Sequence, residues 1–238
     1  MIPKIIHQLW ERGNEPIPDF FRQLGETWKK HHPSWQYEFW DGKRMDTFVN
    51  SNYPHFTNIY HNYRYDIQRM DVIRFLILYK TGGMYVDVDY ECLDSFDKYL
   101  STDKCHFSME PELHCRFFRK TLYFNNALMI TPPGHPFFEF VIKNLQTTVF
   151  TYTKSKYQDV LSSTGPLMLT GLYEKYENKT CINLLPPEQV SPWSKNEVRD
   201  FINGTANREI LEKKLENAMA LHYFWGAWLN NEADLLDF

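Results

Sequence analysis

Two carboxylates one residue apart close an apolar run, Met84-Tyr85-Val86-Asp87-Val88-Asp89, and they are the residues of this 238-residue chain that most need a chemical explanation. A strand alternates its side chains, so a strand over residues 84–90 is expected to send Met84, Val86 and Val88 to one face and Asp87 and Asp89 to the other. Two ionised carboxylates side by side in a buried strand repel one another and lose hydration, unless a cation or several donors offset the cost. A hard divalent ion, manganese or magnesium, accepts carboxylate oxygens and completes its shell with phosphate and water, which suits a nucleotide diphosphate. A bare pair of this kind is commonly a solvated strand end, so its surroundings must decide.

Upstream, residues 67–79 are apolar almost all round, as in a buried helix, and Asp71 and Arg74 are the informative exceptions. They lie three apart on one face. A buried ion pair adds little net stability once desolvation is counted, so its place just ahead of the carboxylates favours a ligand role. Taken alone, His222 among aromatic residues is a packed or stacked side chain. Cys105-His106 and His114-Cys115 hold four soft ligand types, but their spacing matches no common zinc pattern and an ordinary loop is expected. The four cysteines form no CxxC pair and read as reduced thiols. His7 and His135 are expected to be structural, and the sequons at Asn178 and Asn203 to be chance matches.

The elements that must position these groups follow from periodicity. Strands are expected at residues 4–10 and 36–40 around a helix at 19–31, a βαβ opening. A long helix over 63–79 should stop at Gly82-Gly83 and feed the carboxylate strand. Further strands are expected at 107–110 and 127–131. A helix should follow Pro132-Pro133-Gly134 over 136–148, and another should follow Thr164-Gly165-Pro166 within 158–176. A short charged segment at 209–217 precedes the aromatic tail. The length suits one domain over 1–238, and the pattern predicts an α/β protein with a central, mostly parallel sheet flanked by helices and ligands at the strands' carboxyl ends.

With 26 Lys and Arg scattered against 30 Asp and Glu, the net charge of -4 argues against a nucleic-acid partner. No run reaches the roughly 18 apolar residues of a transmembrane segment, and the first residues begin a strand without a secretory n-region, so a cytoplasmic protein is expected. Arg116-Phe117-Phe118-Arg119-Lys120 mixes basic and aromatic residues. Loop packing is the plainer reading, and peripheral contact with the inner face of a membrane is the alternative.

The ordered set Ile2-Pro3-Lys4-Ile5-Ile6-His7-Gln8-Leu9-Trp10, Asp71-Val72-Ile73-Arg74 and Gly82-Gly83-Met84-Tyr85-Val86-Asp87-Val88-Asp89 resembles glycosyltransferase family 32, which is related to the sugar-transferring domains of clostridial toxins. The resemblance implies a GT-A fold, a Rossmann-like nucleotide-sugar-binding domain, and retention of anomeric configuration. It implies that Trp10 stacks on the base, that Asp71 and Arg74 grip the donor sugar and its phosphate side, and that Asp87 sits near ribose and metal. Asp89 would be the direct metal ligand. His222-Tyr223-Phe224-Trp225-Gly226-Ala227-Trp228 is similar to the family's terminal His and Trp motif, which would add His222 to the metal shell and Trp228 to the donor site. Asn126 and Gly165 match segments that line the sugar side. Residues 1–100 would mainly bind the donor, and 101–238 would supply the acceptor side and the metal-site tail. The expected reaction is hexose transfer, with a uridine diphosphate donor slightly preferred over guanosine diphosphate mannose, to a saccharide or lipid-linked saccharide in surface polysaccharide or glycoconjugate synthesis. The rivals are an aspartate-nucleophile phosphatase, which lacks its small hydroxyl or β-branched residue after Asp89, and a non-catalytic sugar-binding module.

Overall fold

The structure, a computed structural model, describes residues 1–13 and 15–226. The chain opens with β1 (Ile5–Leu9), α1 (Asp19–His31) and β2 (Gln36–Trp40), and β1 pairs parallel with β2, as a βαβ unit requires. Three helices follow, α2 (Gly42–Asn52), α3 (Thr57–His61) and α4 (Asp66–Thr81), before β3 (Gly83–Val86) and β4 (Tyr90–Cys92). Next come β5 (Cys105–Met109), α5 (Glu112–Phe117), β6 (Phe124–Thr131), α6 (Pro136–Thr147), α7 (Lys156–Ser163) and α8 (Pro166–Lys175). The last elements described are β7 (Ile182–Leu185), α9 (Pro187–Val190), α10 (Lys195–Ile202), α11 (Arg208–Leu215) and β8 (Ala220–His222).

The main sheet has the order β2-β1-β3-β6-β5-β7, and β6 alone runs antiparallel to its neighbours. Its two faces are visible in β3. Tyr85 joins the core formed with α4 and α6, while Met84 and Val86 join the opposite core around Trp28 of α1. Helix α4 is buried continuously from Asp71 to Leu78, because helices and sheet enclose it. It ends at Gly82, and the chain turns into β3 with φ of +67° at Gly82 and +99° at Gly83. A Cβ at Gly83 would lie 2.6 Å from the Ile5 carbonyl oxygen, so the close approach of β1 and β3 requires glycine there as well.

The carboxylate strand expected over 84–90 stops at Val86. Pairing with β6 runs as far as Val86↔Leu128, and the Asp87 N–H adds one more bond to the Ala127 carbonyl at 2.8 Å. Beyond it the β6 backbone is taken by side chains: Asn125 Oδ1 accepts the Ala127 N–H, and Arg74 donates to the Asn126 carbonyl. Asp87-Val88-Asp89 therefore forms a turn closed by the Tyr90 N–H on the Asp87 carbonyl at 3.2 Å. Strand alternation is not what brings the two carboxylates together. The helix expected after Thr164-Gly165-Pro166 is α8, a further helix, α7, precedes that break, and the charged segment near 209–217 is helical. The aromatic tail begins as a strand, β8, whose Tyr90↔His222 pairing with β4 carries the C-terminal end back to the turn. Among the described residues, no helix is long and apolar enough to cross a membrane.

Candidate active site

A cavity of about 670 Å³ opens at the carboxyl ends of β1 and β3, where the neighbouring crossovers leave a crevice. Trp10, Asp71, Arg74, Asp87, Asp89, Asn126 and His222 all line it. Gly165 does not. It caps α8, and a Cβ there would stand 3.1 Å from Leu161 Cα, which makes its place a packing matter. Its neighbour Thr164 reaches the site instead, donating to Asp71 Oδ2 at 2.9 Å. Trp228 lies outside the described residues.

Helix α4 supplies the floor. Asp71 accepts from Asn126 Nδ2 at 2.9 Å and from Thr164, while Arg74 lies 3.3 Å from it. The Arg74 guanidinium also meets Asp87 at 3.1 Å, the Asn126 carbonyl at 3.0 Å and the Met70 carbonyl at 3.1 Å, and it lies over the Tyr85 ring. A guanidinium so engaged fixes its partners in place more than it reaches outward. Tyr85 donates its hydroxyl to the same Asp87 oxygen. Burial pushes the carboxyls of Asp71 and Asp87 up, against the pull of Arg74, and the Asp89 charge pushes Asp87 further in the same direction.

Asp89 is held differently. Its Oδ2 accepts the Trp225 N–H at 2.9 Å, its carbonyl accepts the Tyr223 N–H, and Oδ1 lies 3.4 Å from His222 Nε2. Burial raises its carboxyl, but the His222 charge and hydrogen bond and the Trp225 amide outweigh burial and hold it below the usual range. Conversely, burial lowers His222, and Asp89 lifts it above the ordinary histidine value. The imidazole is stacked on Tyr90 at 4.1 Å and against Phe224 at 4.0 Å, and among the described residues its buried Nδ1 has no partner. Asp87, Asp89 and His222 bring ligand atoms within 4.8 Å of one another. Two carboxylates and an imidazole this close together fit a divalent cation of the manganese or magnesium kind. Cys105, His106, His114 and Cys115 form no such group among the described residues; His114 bonds to Glu110 and His106 to Asn183.

Trp10 follows β1 directly. Its indole donates to the Glu15 carbonyl at 3.2 Å and packs on Phe21 at 5.6 Å, walling the cavity with an aromatic surface. His7 and His135 are structural, as expected: His7 bridges Gly82 and Trp40, and His135 caps α6. Sequence reasoning missed Glu110, Asn125 and Lys195, which line the cavity with His114. The available signal was slight: Glu110 precedes Pro111 and the start of α5, and His114 on the first turn of that helix reaches back to it.

Residues 18–106 match the family model described as "Glycosyltransferase sugar-binding region containing DXD motif". The chain is 35% identical over 181 residues to inositol phosphoceramide mannosyltransferase 1 of Schizosaccharomyces pombe, covering 74% of this chain and 52% of that protein. It is 33% identical over 180 residues to the mannosyl phosphorylinositol ceramide synthase SUR1 of Saccharomyces cerevisiae, covering 74% and 43%. The chain spans about half the length of the curated relatives it matches. Among solved structures it is similar to the PaToxG glycosyltransferase, with a TM-score of 0.53, 15% identity, and coverage of 99% of this chain and 83% of that one. The ligand-free glycosyltransferase domain of the YGT toxin gives 0.56 at 7% identity, covering 77% and 80%. The fold is that of the GT-A glycosyltransferases, and residues 18–106, which carry the DXD turn at the mouth of the sheet, match the sugar-binding region of the DXD-containing glycosyltransferases.

Proposed function

We propose that this chain transfers a hexosyl group from a nucleotide sugar to a lipid-linked acceptor, with retention of configuration. The observation that carries the reading is the convergence of Asp87, Asp89 and His222 in one cavity with Trp10 on its wall and Arg74 beneath. Relatives named as mannosyltransferases of inositol phosphoceramide favour a mannosyl donor, over the uridine diphosphate hexose preferred from sequence, and a phosphoinositol-bearing lipid acceptor.

Asp89, Asp87 and His222 would hold a divalent cation, which when bound supplies Lewis-acid neutralisation of the diphosphate. The chain's own residues do the rest. Trp10 offers a flat apolar surface to the base. Arg74, fixed by Met70, Asn126, Asp71 and Asp87, keeps the two acids of floor and turn at a set distance and adds a fixed positive charge beneath the departing phosphates. Asp71, held by Asn126 and Thr164, presents a preorganised acceptor to sugar hydroxyls. The acceptor hydroxyl attacks the anomeric carbon from the face the diphosphate leaves, with no covalent sugar on the protein. Helix α5 sends His114 into the cavity wall and leaves Leu113 and Phe117 exposed, an apolar approach suited to a lipid acceptor.

A screen of guanosine diphosphate mannose and uridine diphosphate hexoses with manganese or magnesium tests this. Release of free sugar, or transfer to a phosphoinositol lipid, supports the transferase. Phosphate release from a monoester supports the phosphatase instead, and binding without turnover supports a sugar-binding module.

A further inference from the structure

Glu110, His114 and Asn125 form a buried polar cluster on the cavity wall. Glu110 Oε2 accepts from His114 Nδ1 at 2.6 Å, Oε1 accepts from Asn125 Nδ2 at 2.8 Å, and Asn125 Oδ1 accepts the Ala127 N–H at 3.0 Å. The other imidazole nitrogen of His114 lies 3.2 Å from the backbone N–H of Lys195. A backbone N–H can only donate, so His114 Nε2 is the acceptor, and the proton sits on Nδ1, directed at Glu110. The cluster thus ties the end of β5, helix α5 and strand β6 to the first residue of α10. From the other side, Ser194 and Glu197 close a capping box that fixes the same turn, and Glu197 pairs with Lys214 of α11.

Lys195, held between these two anchors, is half-buried and lines the cavity alongside Glu110, His114 and Phe224. Burial and the neighbouring Arg199 both depress its ammonium, and a phosphate oxygen beside it would favour the charged form. A lysine presents a compact point charge, the form of cation that suits a single phosphate oxygen. Neither sugar brings an anion, whereas the donor's diphosphate and a phosphoinositol acceptor both do.

We propose that Lys195 contacts a phosphate oxygen of the bound substrates and that Glu110 and His114 are positioning residues that aim it. The assignment rests on the transferase reading above. It adds a phosphate-reading residue to the same cavity, supplied by α10 and not by α4 or the DXD turn.

The test compares wild type with Lys195→Met, Lys195→Arg, His114→Ala and the Lys195→Met/His114→Ala double variant, all checked for an unchanged fold by circular dichroism. Affinities are measured for guanosine diphosphate, uridine diphosphate and phosphatidylinositol vesicles against phosphatidylcholine vesicles. Losing one charge-assisted bond is expected to weaken binding about tenfold or more in Lys195→Met, with recovery in Lys195→Arg. His114→Ala should weaken binding similarly and add nothing in the Lys195→Met background, a non-additivity that a general structural defect would not produce. Weakening toward the nucleotides makes the donor diphosphate the source. Weakening only toward phosphatidylinositol makes it the acceptor phosphate. Should Lys195→Met bind all three as wild type does, the inference is overturned while the transferase reading stands; a wild type that binds none of the probes overturns both. If His114→Ala fails to fold, the two Lys195 variants still decide whether the lysine meets a phosphate.

Discussion

Arg74 stands 3.1 Å from the Asp87 carboxylate, and through that contact helix α4 holds the turn that carries both acids. Removing one member of a buried pair strands the others, so Arg74→Met is expected to cost about 3–5 kcal/mol of stability. Nucleotide-sugar hydrolysis should fall by about two orders of magnitude, the scale of losing one fixed electrostatic group. Urea unfolding and turnover measured together check both, and a variant as stable as wild type would show that Arg74 does not hold the turn.

Asp89→Asn keeps an oxygen for the Trp225 N–H but removes the charge and turns the oxygen beside His222 into an amide NH2. Transfer should nearly vanish and the manganese-dependent rise in melting temperature should be lost, while the metal-free protein stays folded. Retained turnover would remove Asp89 from the cation site.

Thr164 and Gly165 separate ligand support from packing. Thr164→Val deletes the hydroxyl that satisfies Asp71 Oδ2, at an expected cost of about 1–3 kcal/mol together with a raised KM for the donor. Gly165→Ala forces a Cβ to 3.1 Å from Leu161 Cα and should lower stability by about 1 kcal/mol or more, with KM unchanged. A KM effect at Gly165 would restore it to the donor site.

Trp10→Ala should weaken nucleotide binding by about tenfold or more, as the loss of base stacking on an aromatic side chain usually does, and Trp10→Phe should recover most of it. Equal affinity in all three proteins would place the base elsewhere.

Acid should destabilise the fold through buried neutral histidines. Burial pushes His7 and His106 down to about 4 from 6.5. As pH falls below 6.5 the unfolded chain takes up these protons and the native state does not, so stability is lost until the native groups titrate near 4. Each contributes about 3 kcal/mol across that window. His7→Gln retains a donor and an acceptor, and its unfolding free energy should depend on pH by about one proton less at pH 5. An unchanged slope would mean that His7 is not kept neutral by the fold.

The βαβ opening, the α4 helix and the Gly-Gly stop were legible because each is written in local periodicity or in a residue type that its backbone demands. Asp71, Arg74, Asp87, Asp89 and His222 were nameable for a related reason: charges set in apolar runs are conspicuous. The turn at Asp87-Val88-Asp89 was not legible, since the ladder ends there only because Asn125 and Arg74, distant in sequence, capture the β6 backbone. Glu110 escaped as the polar end of an expected strand, Asn125 as the neighbour of Asn126 and Lys195 within a polar segment, and only the folded chain brings them to one cavity. Helix α2 went unnoticed although Met45, Phe48 and Val49 stand at the helical spacing i, i+3 and i+4, and α3 is a single turn too short to show a period.

The pairing of Tyr90 with His222 sets an order of assembly. The DXD turn leaves the ribosome long before the strand that completes it, so most of the sheet can form while the acids still lack their histidine. A growing chain therefore gains its full set of cation ligands only after residue 222 has emerged and docked, and a translation product halted earlier would carry the fold's framework with an incomplete site.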